Sequence, residues 1–180
     1  FMVRTVYVNG EFVSESEARI SIFDRGFLFA DSVYEVTAVL DGKLIDWDRH
    51  VQRLQRSIKS LNIDVLISVN ELLGIHRDII NFNKLSDGLI YMQVSRGSSE
   101  RNFIIEGNYE ASLVIFSQEL NLLNYNRLNR CLKVQTVPEQ RWRRRDIKTT
   151  QLLAASLVKT SVQEQGYDDA WFVENGYITE

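Results

Sequence analysis

The sequence predicts an α/β fold (mixed α+β), with a small N-terminal α/β domain followed by the first part of a second, larger α/β domain. Three observations carry that expectation: β-rich runs that meet at Asn-Gly or Asp-Gly, stretches with helical apolar spacing, and a polar, asparagine-rich connection past the middle of the chain. Val6-Tyr7-Val8 and Glu11-Phe12-Val13 flank Asn9-Gly10, a dipeptide that tolerates positive φ at both turn positions, and so form a hairpin. The same grammar returns at Val33 to Leu40 with Lys43 to Ile45 around Asp41-Gly42, and at Ala170 to Val173 with Tyr177 to Thr179 around Asn175-Gly176. After Asp46, Val51, Leu54, Ile58 and Leu61 fall on one face of a helix. Ser68 and Glu71 have the spacing of a capping box, opening a second helix that runs toward Asn83. Leu89 to Ser95 and Ala111 to Ser117 read as strands. Asn121 to Arg130 holds the connection, placing one domain over residues 1–120, a linker over 121–125 and an incomplete domain over 126–180. There, Leu132 to Val137 is expected as a strand stopped by Pro138, and Thr149 to Gln165 as a helix ending at Gly166.

Composition narrows the function classes. Hydrophobic residues make up 44% and charged residues 25% of the 180, enough for a packed core and far from the disordered regime. Lys+Arg number 21 against 24 Asp+Glu, a formal net charge of −3, so no bulk positive field draws the chain to nucleic acid or an anionic membrane surface. Apolar runs such as Ala111 to Phe116 fall far short of the roughly 20 residues a membrane helix needs, and the N-terminus carries no export pattern. Cys131 is the single cysteine, which leaves no internal disulfide or zinc site and makes the cytoplasm the expected compartment. One proline and nine glycines supply no flexible tether.

Short catalytic motifs are silent: there is no Gly-rich phosphate loop, Walker sequence, zinc spacing or Gly-x-Ser-x-Gly elbow. What stands out are charged residues that strands and helices do not call for, namely Arg25, Arg53, Arg96, Arg101, Lys148 and Glu180. Taken singly, each has a plain reading. Arg53 is a helix-surface arginine, Arg96 and Arg101 flank a polar loop, and Arg141 to Lys148 is a solvated basic run, with nucleic-acid contact a weak second. His50, His76 and Cys131 read as structural, and Trp47, Trp142 and Trp171 as packing.

Read together, six blocks in order resemble the class IV (fold-type IV) aminotransferases that use pyridoxal 5'-phosphate, the D-amino-acid aminotransferases above all. They are Val6-Tyr7-Val8-Asn9-Gly10, the run from Phe23-Asp24-Arg25-Gly26 to Tyr34-Glu35-Val36, His50-Val51-Gln52-Arg53-Leu54, Tyr91 to Gly97, Arg145-Asp146-Ile147-Lys148-Thr149, and Asn175-Gly176-Tyr177-Ile178-Thr179-Glu180. The resemblance implies that Lys148 forms the Schiff base with the cofactor, that Arg53 binds its phosphate, and that Glu180 bonds the pyridine nitrogen. It also implies that Tyr34 and Arg101 hold the substrate carboxylate, the arginine reaching in from the partner subunit of a homodimer. The expected reaction moves an amino group between a small, D-configured amino acid and an α-keto acid.

The residue types suit that chemistry. A neutral lysine amine is a nucleophile and, once displaced, a proton carrier. A carboxylate at the pyridine nitrogen favours the protonated, electron-withdrawing ring. A guanidinium offers planar, always-charged donors for a phosphate.

Two features depart from the pattern. Where the D-amino-acid enzymes commonly place a histidine two positions after the arginine, this chain has Phe103, which donates no hydrogen bond. Members of the family also continue past the block matching Glu180, so the resemblance implies that much of the second domain and its phosphate-binding amides is missing. An aminodeoxychorismate lyase using the same lysine and cofactor, and a truncated non-catalytic fragment, are the alternative readings.

Overall fold

Each of the three turn dipeptides closes a hairpin in left-handed backbone: Asn9 and Gly10 at φ 48° and 102°, Asp41 and Gly42 at 49° and 68°, Asn175 and Gly176 at 51° and 81°. The computed structural model describes residues 3–123 and 130–180. The chain divides into two units, one of Phe1–Leu122 with Asp146–Thr150 and the other of Leu123–Arg145 with Gln151–Glu180. The expected linker at 121–125 and the expected domain start at residue 126 run into 124–129, which lie outside the described residues.

The first unit is built on a six-stranded antiparallel sheet in the order β2-β1-β6-β5-β3-β4. Its strands are β1 (Thr5–Val8), β2 (Glu11–Ser14), β3 (Ser32–Leu40), β4 (Lys43–Leu44), β5 (Gly88–Ser95) and β6 (Ser112–Glu119). Alternation sorts the side chains. Val33 and Val39 of β3, Ile90, Met92 and Val94 of β5, and Ile115 of β6 are buried on one face. Helices α2 (Trp47–Leu61) and α3 (Val69–Asn83) add Val51, Leu54, Leu72 and Ile79 to the core. Each such side chain contributes about 1.5–3 kcal/mol by leaving water. The capping box opens α3 as expected, with Glu71 N donating to Ser68 Oγ at 3.2 Å and Ser68 N donating to Glu71 Oε2 at 2.8 Å.

The opposite face carries a half-buried aromatic row, with Tyr34 stacked on Tyr91 at 5.6 Å and Tyr91 on Phe116 at 4.9 Å. A short helix, α1 (Arg25–Phe29), capped by the Asp24 carboxylate at Gly26 N (2.7 Å), is one element the periodicity did not announce. It packs on β5 through Gly26, where an added Cβ would come within 2.8 Å of Ser95 Cβ.

The second unit holds a three-stranded sheet, β7 (Val134–Pro138), β8 (Asp169–Glu174) and β9 (Tyr177–Ile178), with α4 (Leu153–Glu164) between β7 and β8 in sequence. β7 and β8 run parallel and β8 and β9 antiparallel. Two boundaries differ from expectation. Pro138 closes β7 from inside the strand, paired in register with Val173. The helix begins at Leu153 and not at Thr149, because the strip pairs with β3 first: Lys148 O accepts from Tyr34 N and Thr150 N donates to Ser32 O on either side of the Thr149–Val33 bridge. Among the described residues, no helix is long and apolar enough to cross a membrane.

Candidate active site

Lys148 owes its place to a free strand edge. β4 pairs with β3 only at Val39 and Leu40, so the first half of β3 has an open edge, and residues 148–150 fill it. Tyr34 N donates to Lys148 O at 3.0 Å and Thr150 N to Ser32 O at 3.3 Å, while Thr149 bridges Val33. The Ser32 and Thr150 hydroxyls share a further bond of 2.6 Å. Thus anchored, the half-buried Lys148 puts its amine 3.1 Å from the Tyr34 hydroxyl and 4.3 Å from the centre of that ring. The Lys148 backbone N–H reaches Ser57 Oγ of α2 at 3.4 Å. Behind Tyr34, burial pushes the Tyr91 phenol up to about 12, so it stays neutral.

Arg53 stands one helical turn before Ser57 on α2. Its Nε and Nη2 both donate at 2.6 Å to the carboxylate of Glu35, a residue 1% exposed on the core face of β3. His50 Nδ1 lies 2.8 Å from the same carboxylate. The Glu35 bond raises the Arg53 pKa above its ordinary value, so the guanidinium is permanently charged. Glu35 grips one edge of the fork, leaving Nη1 outside that grip on a side chain 41% exposed.

A second cluster lies beyond α1. Arg25 and Arg96, both buried, converge on Asp31, with Arg25 Nε at 2.8 Å and Arg96 Nε and Nη2 at 2.8 and 3.0 Å. Burial raises the Asp31 carboxyl, yet the Arg96 and Arg25 bonds outweigh it and hold it below the usual range. Arg96 also caps α2, donating to Leu61 O and Asn62 O at 2.7 and 2.8 Å. Arg101 is exposed, its guanidinium 5.6 Å from the Phe29 ring and 5.2 Å from Phe103, with no hydrogen-bond or ion-pair partner among the described residues. Arg25 lies 4.6 Å from the centre of the same Phe29 ring, so one phenylalanine serves two guanidiniums.

In the second unit, Glu180 follows β9 and pairs through Oε2 with Arg141 Nη1. Arg141 is itself held by Glu139, and Arg145 by Glu174, so these two arginines of the basic run are occupied by carboxylates.

The structure therefore brings Lys148 and Tyr34 into contact and sets Arg53 one turn from the lysine's anchor, while Arg101 sits on the loop after β5 and Glu180 in the second unit. Sequence reasoning passed over Glu35 as a functional neighbour. Its signal was a charged residue at an inward position of an alternating strand, between Val33 and Thr37.

Comparison with known proteins follows these lines. The model of the amino-transferase class IV family matches residues 32–180. A D-alanine aminotransferase of Staphylococcus aureus (strain MSSA476) is 37% identical over 155 residues, covering 86% of this chain and 55% of the relative. The chain thus spans about half the length of the curated relatives it matches. Among solved structures, a branched-chain amino acid aminotransferase from Escherichia coli superposes with TM-score 0.88 at 23% identity, over 99% of this chain and 62% of that one. A candidate 4-amino-4-deoxychorismate lyase from Legionella pneumophila gives TM-score 0.80 at 21% identity, over 92% of this chain and 61% of that one. At these identities the two structures speak for the fold alone.

Proposed function

Because this chain belongs to the class IV aminotransferases, we propose that it moves an amino group between a small D-amino acid and an α-keto acid, with pyridoxal 5'-phosphate as cofactor. The observation that carries the reading is a half-buried amine, Lys148 Nζ, held 3.1 Å from the Tyr34 hydroxyl on a strip of chain locked to the edge of β3. The donor set suits the cofactor: an amine for its aldehyde, a guanidinium with an arm outside its carboxylate partner's grip for its phosphate, and a carboxylate for its ring nitrogen. When bound, pyridoxal phosphate supplies an aldehyde that condenses with amines and a ring that takes up the electron pair left at the substrate α-carbon.

The protein's part is binding and proton handling. Lys148, once displaced by the substrate amine, takes the proton from the α-carbon and returns it on the other side of the reaction. The Tyr34 hydroxyl orients that amine and holds one end of the substrate carboxylate. Arg53, prealigned by Glu35, receives the phosphate, and Glu180 holds the ring nitrogen protonated. Arg101, whose guanidinium has no hydrogen-bond or ion-pair partner among the described residues, meets the substrate carboxylate of a partner subunit, which makes the working unit a homodimer. The D configuration follows the likeness to the Staphylococcus aureus D-alanine aminotransferase. Phe103 beside Arg101 supplies an apolar wall in place of a hydrogen-bond donor, which leaves the substrate carboxylate to Arg101 and Tyr34.

The test is amine transfer from D-alanine to 2-oxoglutarate by the full-length protein, read as glutamate formed. Lys148→Ala is expected to cut the rate by at least about 10³-fold, the upper part of the range for losing a positioned acid–base group. Sustained transfer in that variant overturns the reading. Pyruvate release from aminodeoxychorismate without transfer from D-alanine would assign the lysine to the lyase reaction.

A further inference from the structure

Around Glu180 the second unit builds more than one ion pair. Glu139, directly after β7, has a side chain only 3% exposed. Its Oε1 accepts from Arg141 N at 2.8 Å and Arg141 Nε at 3.0 Å, and its Oε2 accepts from Arg141 Nη2 at 2.6 Å and the Thr179 hydroxyl at 2.6 Å. The guanidinium lies over the Phe172 ring at 4.7 Å, which blocks one of its faces. Nε and Nη2 are thus committed to Glu139. With Nε and Nη2 committed, the planar fork fixes where Nη1 sits, and Nη1 pairs with Glu180 Oε2. The backbone is fixed as well, since Thr179 N donates to Phe172 O at 2.8 Å and Phe172 N to Glu180 O at 2.9 Å. A carboxylate on a side chain 70% exposed is thereby held at one oxygen while the other stays open.

We propose that Arg141 and Glu139 are positioning residues for the cofactor's ring nitrogen: Glu139 locks the Arg141 fork, and the fork presents Glu180 with Oε1 free to accept the ring N–H. The inference rests on the reading that Glu180 faces that nitrogen. The arrangement also answers an electrostatic problem. A lone arginine beside Glu180 would repel a protonated ring, but Glu139 cancels its charge, and Arg145, 3.5 Å from Glu139 Oε2, is offset by Glu174 at 2.8 Å, so the cluster orients Glu180 without adding net positive charge. Burial of Glu139 against Thr179 and Arg141 keeps that compensation in place.

The test uses the full-length protein loaded with ¹⁵N-labelled pyridoxal phosphate, reading the ring-nitrogen chemical shift against pH. Glu180→Gln sets the limit expected when the carboxylate is lost. The double variant Glu139→Gln with Arg141→Met removes the clamp at constant net charge, and Arg141→Lys keeps the cation but not the fork. Both are expected to move the signal toward neutral pyridine, lowering the pH of proton release by about one unit, tenfold in the protonation equilibrium, and by less than Glu180→Gln does. Circular dichroism checks that the variants fold, and Arg141→Lys carries the test should the double variant fail to. If Glu180→Gln moves the signal while Arg141→Lys stays at the wild-type value, the clamp is overturned. If Glu180→Gln leaves it unmoved, the assignment of Glu180 fails first, and the clamp with it.

Discussion

Phe103 and His76 each offer a test at a single side chain. Phe103 is 75% exposed and lies against Arg101 and Phe29, so a polar residue fits there without disturbing the core. Phe103→His adds a donor beside the arginine, and the KM for D-alanine is expected to fall by about three- to tenfold, the worth of one hydrogen bond to a carboxylate; an unchanged KM would remove this loop from the substrate site. His76 is fully buried on α3, edge-on to Trp47 at 4.4 Å. Its Nδ1 donates to Leu72 O at 2.7 Å, and Nε2 has no hydrogen-bond partner among the described residues. Burial drives its pKa down from 6.5 to about 4. The folded state therefore refuses a proton that the unfolded chain accepts, and stability is full above pH 6.5 and drains as pH falls from there toward 4. The loss is at most about 3 kcal/mol. Urea midpoints at pH 4.5 and 7.5 should show it, and His76→Leu should flatten the difference.

At the scale of elements, the strip 148–150 on β3 matters most. Thr150→Val removes the Ser32 hydroxyl bond while keeping shape, and should lower unfolding free energy by about 1 kcal/mol. Chemical denaturation checks this, and an unchanged midpoint would mean the strip is held by backbone pairing alone. Where elements obey local rules, the sequence was readable. The Asn-Gly and Asp-Gly turns, the Ser68–Glu71 box and the apolar stripe of α2 all act within a few residues, and all three kinds are found. Elements decided by distant partners were not. Five residues of α1, one of them a glycine, are too few to show a period. Thr149 and Thr150 stand next to a helical pattern in sequence, but pairing with β3 through Lys148 O and Thr150 N claims this strip. The site divides the same way. Lys148, Arg53 and Glu180 were named through family resemblance, whereas the partners that hold them (Glu35, Ser57, Glu139 and Arg141) became visible only in three dimensions.

For the whole molecule, the proposed homodimer makes a test that neither residue passes alone. Lys148→Ala and Arg101→Ala are each expected to be nearly inactive, and mixing them under conditions that exchange subunits should restore up to about a quarter of the activity, the share of intact sites in a random mixture. No rescue would mean that each subunit is self-contained. The route by which Lys148 meets Tyr34 has a further consequence. The two residues are 114 apart in sequence, and Ser32 and Thr150 are 118 apart. Contacts of such span close late, after local hairpins and helices have formed. During synthesis the outer side of β3 therefore stands naked from early on until the strip arrives, a sticky ribbon open to strangers. The few residues around Lys148 thus also cover a strand edge, and a nascent chain stalled before them would be expected to self-associate.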